Sequence, residues 1–126
     1  MVKLLIVDDQ KGIRQLLREV FSESGYNIET CADGLRALEL IAEFDPDLVI
    51  MDIKMPGLNG IDALRRLRAT DARRQVIMMT AYGEQRYMDE ARALGVVNFV
   101  SKPFDIDELK TLVGKALFDK DIWLGS

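Results

Sequence analysis

The chain contains no histidine. That excludes every mechanism built on an internal imidazole, whether as general base, metal ligand or phosphohistidine carrier. It has one cysteine, Cys31, so no internal disulfide can form, in keeping with a reducing compartment. Cys31 falls in a strand-like segment, where a buried, inert thiol is expected. The three prolines are scattered and form no linker. No apolar run approaches the roughly 20 residues that a membrane span needs. The first apolar stretch is cut by Asp8-Asp9, so neither a signal peptide nor a membrane segment is expected. The net charge of −4 lacks the basic face that a phosphate-backbone binder requires, so no direct nucleic-acid binding is expected.

What remains suits one soluble domain. The length of 126 residues fits a single core, and an apolar share of 48% is enough to fill it. Four short apolar runs rich in β-branched residues stand out: Leu4–Val7, Leu48–Met51, Val76–Met79 and Val96–Val100. Such runs read as strands buried on both faces of a parallel sheet. A fifth segment, about residues 27–31, is less apolar and reads as an edge strand.

Between these runs the apolar residues recur at helical spacing. Ile13, Leu16, Leu17, Val20 and Phe21 stripe a first helix that Gly25 ends. Leu35, Leu38, Ile41 and Ala42 stripe a second, stopped by Pro46. Asn59 is a good N-cap for a third, carrying Ile61, Leu64 and Leu67. A fourth carries Tyr87 or Met88, Ala91 and Leu94. Asp105 with Glu108 resembles a capping box and opens a fifth. Five strands alternating with five helices predict an α/β, doubly wound parallel sheet. Of the common strand orders, 2-1-3-4-5, the flavodoxin-like one, fits this count. The domain is expected over residues 1–118, with 119–126 as a short C-terminal tail.

Three of the runs end in charge and one in a hydroxyl. Asp8-Asp9 follows the first, Asp52 the second, Thr80 the third, and Ser101-Lys102 the last. In open α/β sheets the ligand site lies at the carboxyl ends of the strands. Three kinds of group therefore meet in one crevice: carboxylates, an ammonium and a hydroxyl. The set suits a hard cation and a phosphoryl group, with one carboxylate left over as nucleophile. A blander reading remains beside each. Asp8 or Asp9 could cap the helix starting near Lys11, and Thr80 could be an ordinary strand former.

These residues carry a resemblance. The chain resembles the receiver domain of bacterial two-component response regulators over about residues 3–118. The matching pieces are Asp8-Asp9, the segment Asp52-Ile53-Lys54-Met55-Pro56-Gly57-Leu58-Asn59-Gly60, Thr80-Ala81, and Lys102-Pro103-Phe104. Within the family, Val7-Asp8-Asp9-Gln10, Met79–Glu84 and Lys102–Glu108 are most similar to stand-alone sporulation-type phosphorelay receivers. The latter two segments also resemble the receivers of nitrogen-regulation-type transcription activators. Lys11 and Phe99 depart from the sporulation-type pattern, which has an aromatic residue and a histidine there.

The resemblance implies a role for each residue. Asp52 is the nucleophile that becomes phosphorylated, with Lys102 and Thr80 in its catalytic set. Asp8, Asp9, Asp52 and the backbone carbonyl of Lys54 hold Mg²⁺, with Mn²⁺ as an alternative; Asp9 ligates directly and Asp8 largely through water. Lys102 pairs with Asp52 and then with a phosphoryl oxygen. Thr80 gives its hydroxyl to the phosphoryl group, and Phe99 is either a switch aromatic coupled to it or plain core.

Gln10, Gly12, Ile13 and Leu16 form a face for a partner's helix pair, although Ile13 and Leu16 fit the core stripe equally. Tyr82, Pro103 and Phe104 belong to the same mouth. The partners implied are a sensor histidine kinase, a histidine phosphotransferase protein and a phosphatase, in the cytoplasm. With no second domain in the sequence, a phosphorelay intermediate in sporulation-type signalling is expected. Such a protein catalyses its own phosphorylation and dephosphorylation rather than turning over a substrate. The alternative is the receiver of a nitrogen-regulation-type activator, whose phosphorylation controls dimerisation and DNA binding.

Overall fold

Alternation within each strand builds the molecule, because neighbouring residues of a strand point to opposite faces of the sheet. The computed structural model describes residues 1–81 and 83–125, with side chains through Phe118. Tyr82, and the tail side chains Ile122, Trp123 and Leu124 with Ser126, lie outside the described residues.

Five strands are present: β1 (Lys3–Val7), β2 (Asn27–Cys31), β3 (Leu48–Asp52), β4 (Gln75–Thr80) and β5 (Asn98–Ser101). All pair in parallel, in the order β2-β1-β3-β4-β5. The helices are α1 (Lys11–Ser22), α2 (Gly34–Phe44), α3 (Gly60–Thr70), α4 (Gln85–Ala93) and α5 (Ile106–Gly125). The doubly wound fold and its strand order are as the sequence predicts. No described helix is long and apolar enough to cross a membrane.

Leu4, Ile6, Leu48, Ile50, Ile77, Met79 and Val100 face one side. There they meet Leu17 and Phe21 of α1 and Leu109, Val113 and Ala116 of α5. Leu5, Val7, Val49, Met51, Val76 and Met78 face the other, against α2, α3 and Ala91 of α4. Each of the three central strands is therefore apolar at nearly every position, which is why they read as unbroken runs.

The elements differ in detail from the sequence pattern. In α2 the buried face runs through Gly34, Ala37, Leu40 and Ile41, while Leu35 and Ala42 are exposed. The true face is rotated by about one residue, roughly 100°, because Gly34 packs directly on the loop before α3. A Cβ on Gly34 would lie 2.4 Å from the Leu58 carbonyl oxygen. Leu16 of α1 is likewise exposed, at the flank of a face held by Leu17 and Phe21. β3 runs one residue further than its apolar run and takes in Asp52. β5 starts at Asn98, leaving Val97 exposed.

The caps follow local chemistry. Asn59 accepts the Asp62 N–H at 2.9 Å, and Asp33 accepts the Arg36 N–H at 2.8 Å. Asp105 accepts the N–H groups of Asp107 and Glu108. α1 has no side-chain cap; its N-cap is Gln10, whose own N–H donates to Asp8 at 2.8 Å.

Candidate functional site

The carboxyl ends of β1, β3, β4 and β5 bring the predicted residues together. Asp8 leaves β1, Asp52 ends β3, Thr80 ends β4, and Lys102 follows β5. Asp8 is fully buried, Asp52 is 6% exposed and Thr80 is 4% exposed. Asp9, next to Asp8, faces solvent. Each of Asp8, Asp9 and Asp52 offers a carboxylate oxygen, and the three lie within 4.8 Å of one another.

Lys102 bridges two of these acids. Its Nζ is 2.7 Å from Asp8 Oδ2 and 3.1 Å from Asp52 Oδ2. Backbone bonds fix its root: the Lys102 N–H donates to the Thr80 carbonyl at 2.7 Å. The Lys102–Pro103 peptide is cis. Asp8 is held from three sides. Its N–H donates to Cys31, its Oδ1 accepts from Gln10, and its carbonyl accepts from the Arg14 guanidinium at 2.8 Å.

The electrostatics are dominated by burial. Desolvation pushes the Asp52 carboxyl up to about 6. Lys102 pulls it back, and the Asp8 and Glu84 carboxylates push it up again. Burial disfavours the Lys102 ammonium, but its bond to Asp8 and the charge of Asp52 more than offset this and raise its pKa. A lone ammonium thus balances a crowd of carboxylates. Hard oxygen ligands, closely grouped and short of positive charge, fit Mg²⁺ well and suit the softer metals poorly.

The other predicted residues take their places around this centre. Lys54 lies exposed in the loop after β3. Gln10, Gly12 and Leu16 are exposed on or beside α1, while Ile13 is half-buried against the core. Pro103 is exposed and Phe104 half-buried at the start of the loop after β5. Phe99 is half-buried on β5, packed against the core with the Arg92 guanidinium 5.0 Å above its ring. Tyr82 lies outside the described residues.

Three contributors receive no role in the sequence reading. Glu84 is a buried acid whose charge helps raise Asp52, Arg14 holds the Asp8 carbonyl, and Gly60 packs on the Asp52 backbone. In sequence, each is an ordinary loop or helix residue. Only the Pro56-Gly57-Leu58-Asn59-Gly60 turn carried a local signal, for Gly60.

The family model described as the response regulator receiver domain matches residues 4–114. The chain belongs to this family. A receiver domain of a two-component response regulator is therefore what the acidic crevice serves, and receiver domains bind Mg²⁺ at such a site. Among curated relatives, the chain is 49% identical to the sporulation initiation phosphotransferase F of Bacillus subtilis over 115 residues, which is 91% of this chain and 93% of that protein. It is 43% identical to the regulatory protein AtoC of Escherichia coli over 91% of this chain but only 25% of that protein. Among solved structures, a response regulator receiver domain protein from Clostridium thermocellum superposes with a TM-score of 0.89 at 26% identity, covering 98% of this chain and 99% of that one. NtrX from Brucella abortus gives 0.89 at 29% identity, covering 99% of this chain and 29% of that one.

Proposed function

We propose that this receiver domain is a phosphorelay intermediate that takes a phosphoryl group from a histidine kinase onto Asp52 and passes it to a histidine of a second protein. The observation that carries the reading is the Asp52 carboxylate, buried at a strand end with the Lys102 ammonium 3.1 Å away and Asp8 and Asp9 beside it. The similarity to sporulation initiation phosphotransferase F supports the relay version and a sporulation-type pathway.

In this reading an Asp52 oxygen attacks phosphorus of the donor phosphohistidine. The P–N bond breaks, its electron pair goes to the imidazole, and Asp52 holds the group as a mixed anhydride. The reverse attack by an acceptor imidazole passes it on. Anion meets anion in both steps, so charge must be neutralised in advance. Lys102 supplies one positive charge to the phosphoryl oxygens. Asp8, Asp9 and Asp52, with the Lys54 carbonyl, would hold Mg²⁺, which would supply the remaining positive charge. Thr80, at the end of β4, gives its hydroxyl to the transferred group. The exposed face of α1, with Gln10, Gly12 and Leu16, receives the partner helices.

Intact mass after exposure to phosphoramidate with Mg²⁺ tests the acceptor. One added phosphoryl group that Asp52→Asn lacks is the expected result; no addition to the unaltered protein overturns the reading. Slow decay after donor removal, followed by transfer to a histidine phosphotransferase protein, supports the relay. The identity shared with the regulatory protein AtoC, only 25% of which this chain covers, favours a second reading, the receiver of a larger regulatory protein. Rapid decay without transfer, with dimerisation on phosphorylation, would select it.

A further inference from the structure

The turn from β2 into α2 touches both halves of the acidic crevice through backbone alone. On one side the Cys31 carbonyl accepts the Asp8 N–H at 3.1 Å, beside the acid pair. On the other the Gly34 N–H donates to the Leu58 carbonyl at 3.2 Å, in the loop that carries Lys54. Only Ala32 and Asp33 lie between the two anchors. The loop is fixed at its root, where the Ile53 N–H donates to the Met79 carbonyl and the Ile53 carbonyl accepts from Gly60. Further out, Met55 is buried while Pro56 and Gly57 are exposed. Among the described residues, no other backbone hydrogen bond reaches residues 54–58. Gly34 itself is buried at the start of α2. A Cβ there would lie 2.4 Å from the Leu58 carbonyl oxygen and 3.2 Å from both the Leu58 carbonyl carbon and Ala63 Cβ. The lack of a side chain is what lets α2 begin against the loop.

Resting on the reading that Asp8, Asp9, Asp52 and the Lys54 carbonyl take a divalent cation, we propose that Gly34 is a positioning residue of that site: it sets the spacing between the acid pair and the Lys54 loop, and with it the preference for a small ion. The acid pair and the loop leave different strands, β1 and β3. The turn that binds Asp8 at one end and Leu58 at the other ties the two together. A methyl group at position 34 must push the Leu58 segment outward or lift the start of α2. The Leu58 atoms in the way are backbone and cannot rotate aside. Mg²⁺ demands near-ideal octahedral geometry at roughly 2.0–2.1 Å, whereas Ca²⁺ accepts looser geometry at roughly 2.3–2.6 Å. A loop displaced outward therefore penalises the smaller ion more. Gly34 acts through Leu58 and offers no ligand of its own.

The test reads metal affinity apart from stability. The ¹H–¹⁵N shifts of Asp9 and Lys54 are titrated with Mg²⁺ and, separately, with Ca²⁺, and folding is read from denaturant midpoints. Gly34→Ala should weaken Mg²⁺ binding roughly tenfold, the order of loss when a partner just outside the ligand shell is disturbed, and Ca²⁺ binding by clearly less. Leu40→Ala, a buried change further along the same helix, should lower stability and leave both affinities as they are. Asp33 supplies a milder perturbation of the same contact. Its carboxylate caps α2 through the Arg36 N–H at 2.8 Å. Asp33→Asn keeps the cap and removes the charge; Asp33→Ala removes both. A further drop in the Mg²⁺-to-Ca²⁺ affinity ratio from the Asn to the Ala variant is the expected result, because it reads the seating of α2 alone. An unchanged ratio in folded Gly34→Ala overturns the positioning role, and so does an equal change in Leu40→Ala. If Gly34→Ala does not fold, equal ratios in the two Asp33 variants overturn it. Failure of the unaltered protein to bind Mg²⁺ overturns the cation reading itself, and the role of Gly34 with it.

Discussion

Lys102 and Asp8 stand at the ends of strands with β3 and β4 between them, yet Nζ lies 2.7 Å from Oδ2. The lysine stem therefore spans the mouth of the crevice and meets Asp52 on the way. This contact is the main check on a cluster that would otherwise repel itself. Lys102→Met keeps most of the stem and deletes the charge. It should cost the metal-free protein about 3 kcal/mol, because two buried carboxylates lose their ammonium. Added Mg²⁺ should recover much of that loss by replacing the missing charge. Phosphoryl addition should slow by about 100-fold, the order of effect seen when one preorganised charge donor is removed. Denaturant melts with and without Mg²⁺, beside phosphorylation rates, check both halves.

Stability should also depend on pH with a sign set by Asp52. Its folded carboxyl titrates near 6, above the ordinary value of 3.8. The folded state thus binds this proton more tightly than the unfolded chain does. The stabilisation is fully present below about pH 4 and is lost as pH rises through about 6. The metal-free protein should accordingly gain on the order of 2 kcal/mol from this group between pH 7 and pH 4.

Asp45 and Asp71 work the other way. The Arg74 guanidinium holds Asp45 below the ordinary range. Burial pushes Asp71 up, but the N–H groups of Arg73 and Arg74 and the Arg74 side chain outweigh it. Their stabilisation disappears in stronger acid, as the pH falls through their lowered values. Melts across this range should show a rise on mild acidification that Asp52→Asn abolishes. Asp52→Asn should itself be more stable than the unaltered protein at pH 7 without metal. Equal pH profiles for the two proteins would disprove this assignment.

Phe99 offers a test of coupling beyond the crevice. The ring is half-buried on β5 beneath Arg92, which also pairs with Asp89 at 3.2 Å. If Phe99 is a switch aromatic, its ring resonances should shift when Asp52 is phosphorylated, and Arg92→Ala should alter the populations. Ring signals indifferent to phosphorylation assign Phe99 to the passive core.

The crevice was legible because parallel strands buried on both faces leave apolar runs, and charges at their ends have no packing role. Asp8, Asp9, Asp52 and Lys102 stood out for that reason, and their convergence followed from the strand order. Helix faces were less legible. Leu35 and Ala42 fit a helical stripe as well as Ala37 and Leu40 do, and only the close approach of Gly34 to Leu58 decides the rotation. Glu84 and Arg14 were hidden for a different reason. Charged residues in a loop and on a helix look solvated until the tertiary fold buries one and turns the other onto a carbonyl.

Two glycines separate packing from propensity. A Cβ on Gly60 would lie 2.1 Å from the Asp52 carbonyl oxygen, 3.0 Å from its carbon and 3.1 Å from Ile53 Cα. All three neighbours are backbone, so none can swing aside. The Gly60 N–H is also bound to the Ile53 carbonyl at 2.7 Å. Gly60→Ala must therefore push α3 away from the end of β3 or displace Asp52 itself. A loss of about 2–4 kcal/mol is expected and, under the acceptor role proposed for Asp52, slower phosphoryl addition as well. Gly12, exposed in α1, has nothing within 4 Å of its would-be Cβ. Gly12→Ala should stabilise the protein by about 0.5–1 kcal/mol through helix propensity. Opposite signs for one chemical change, read from denaturant midpoints, would show that Asp52 is positioned by backbone contact. A neutral Gly60→Ala would mean that the β3–α3 junction is free to yield.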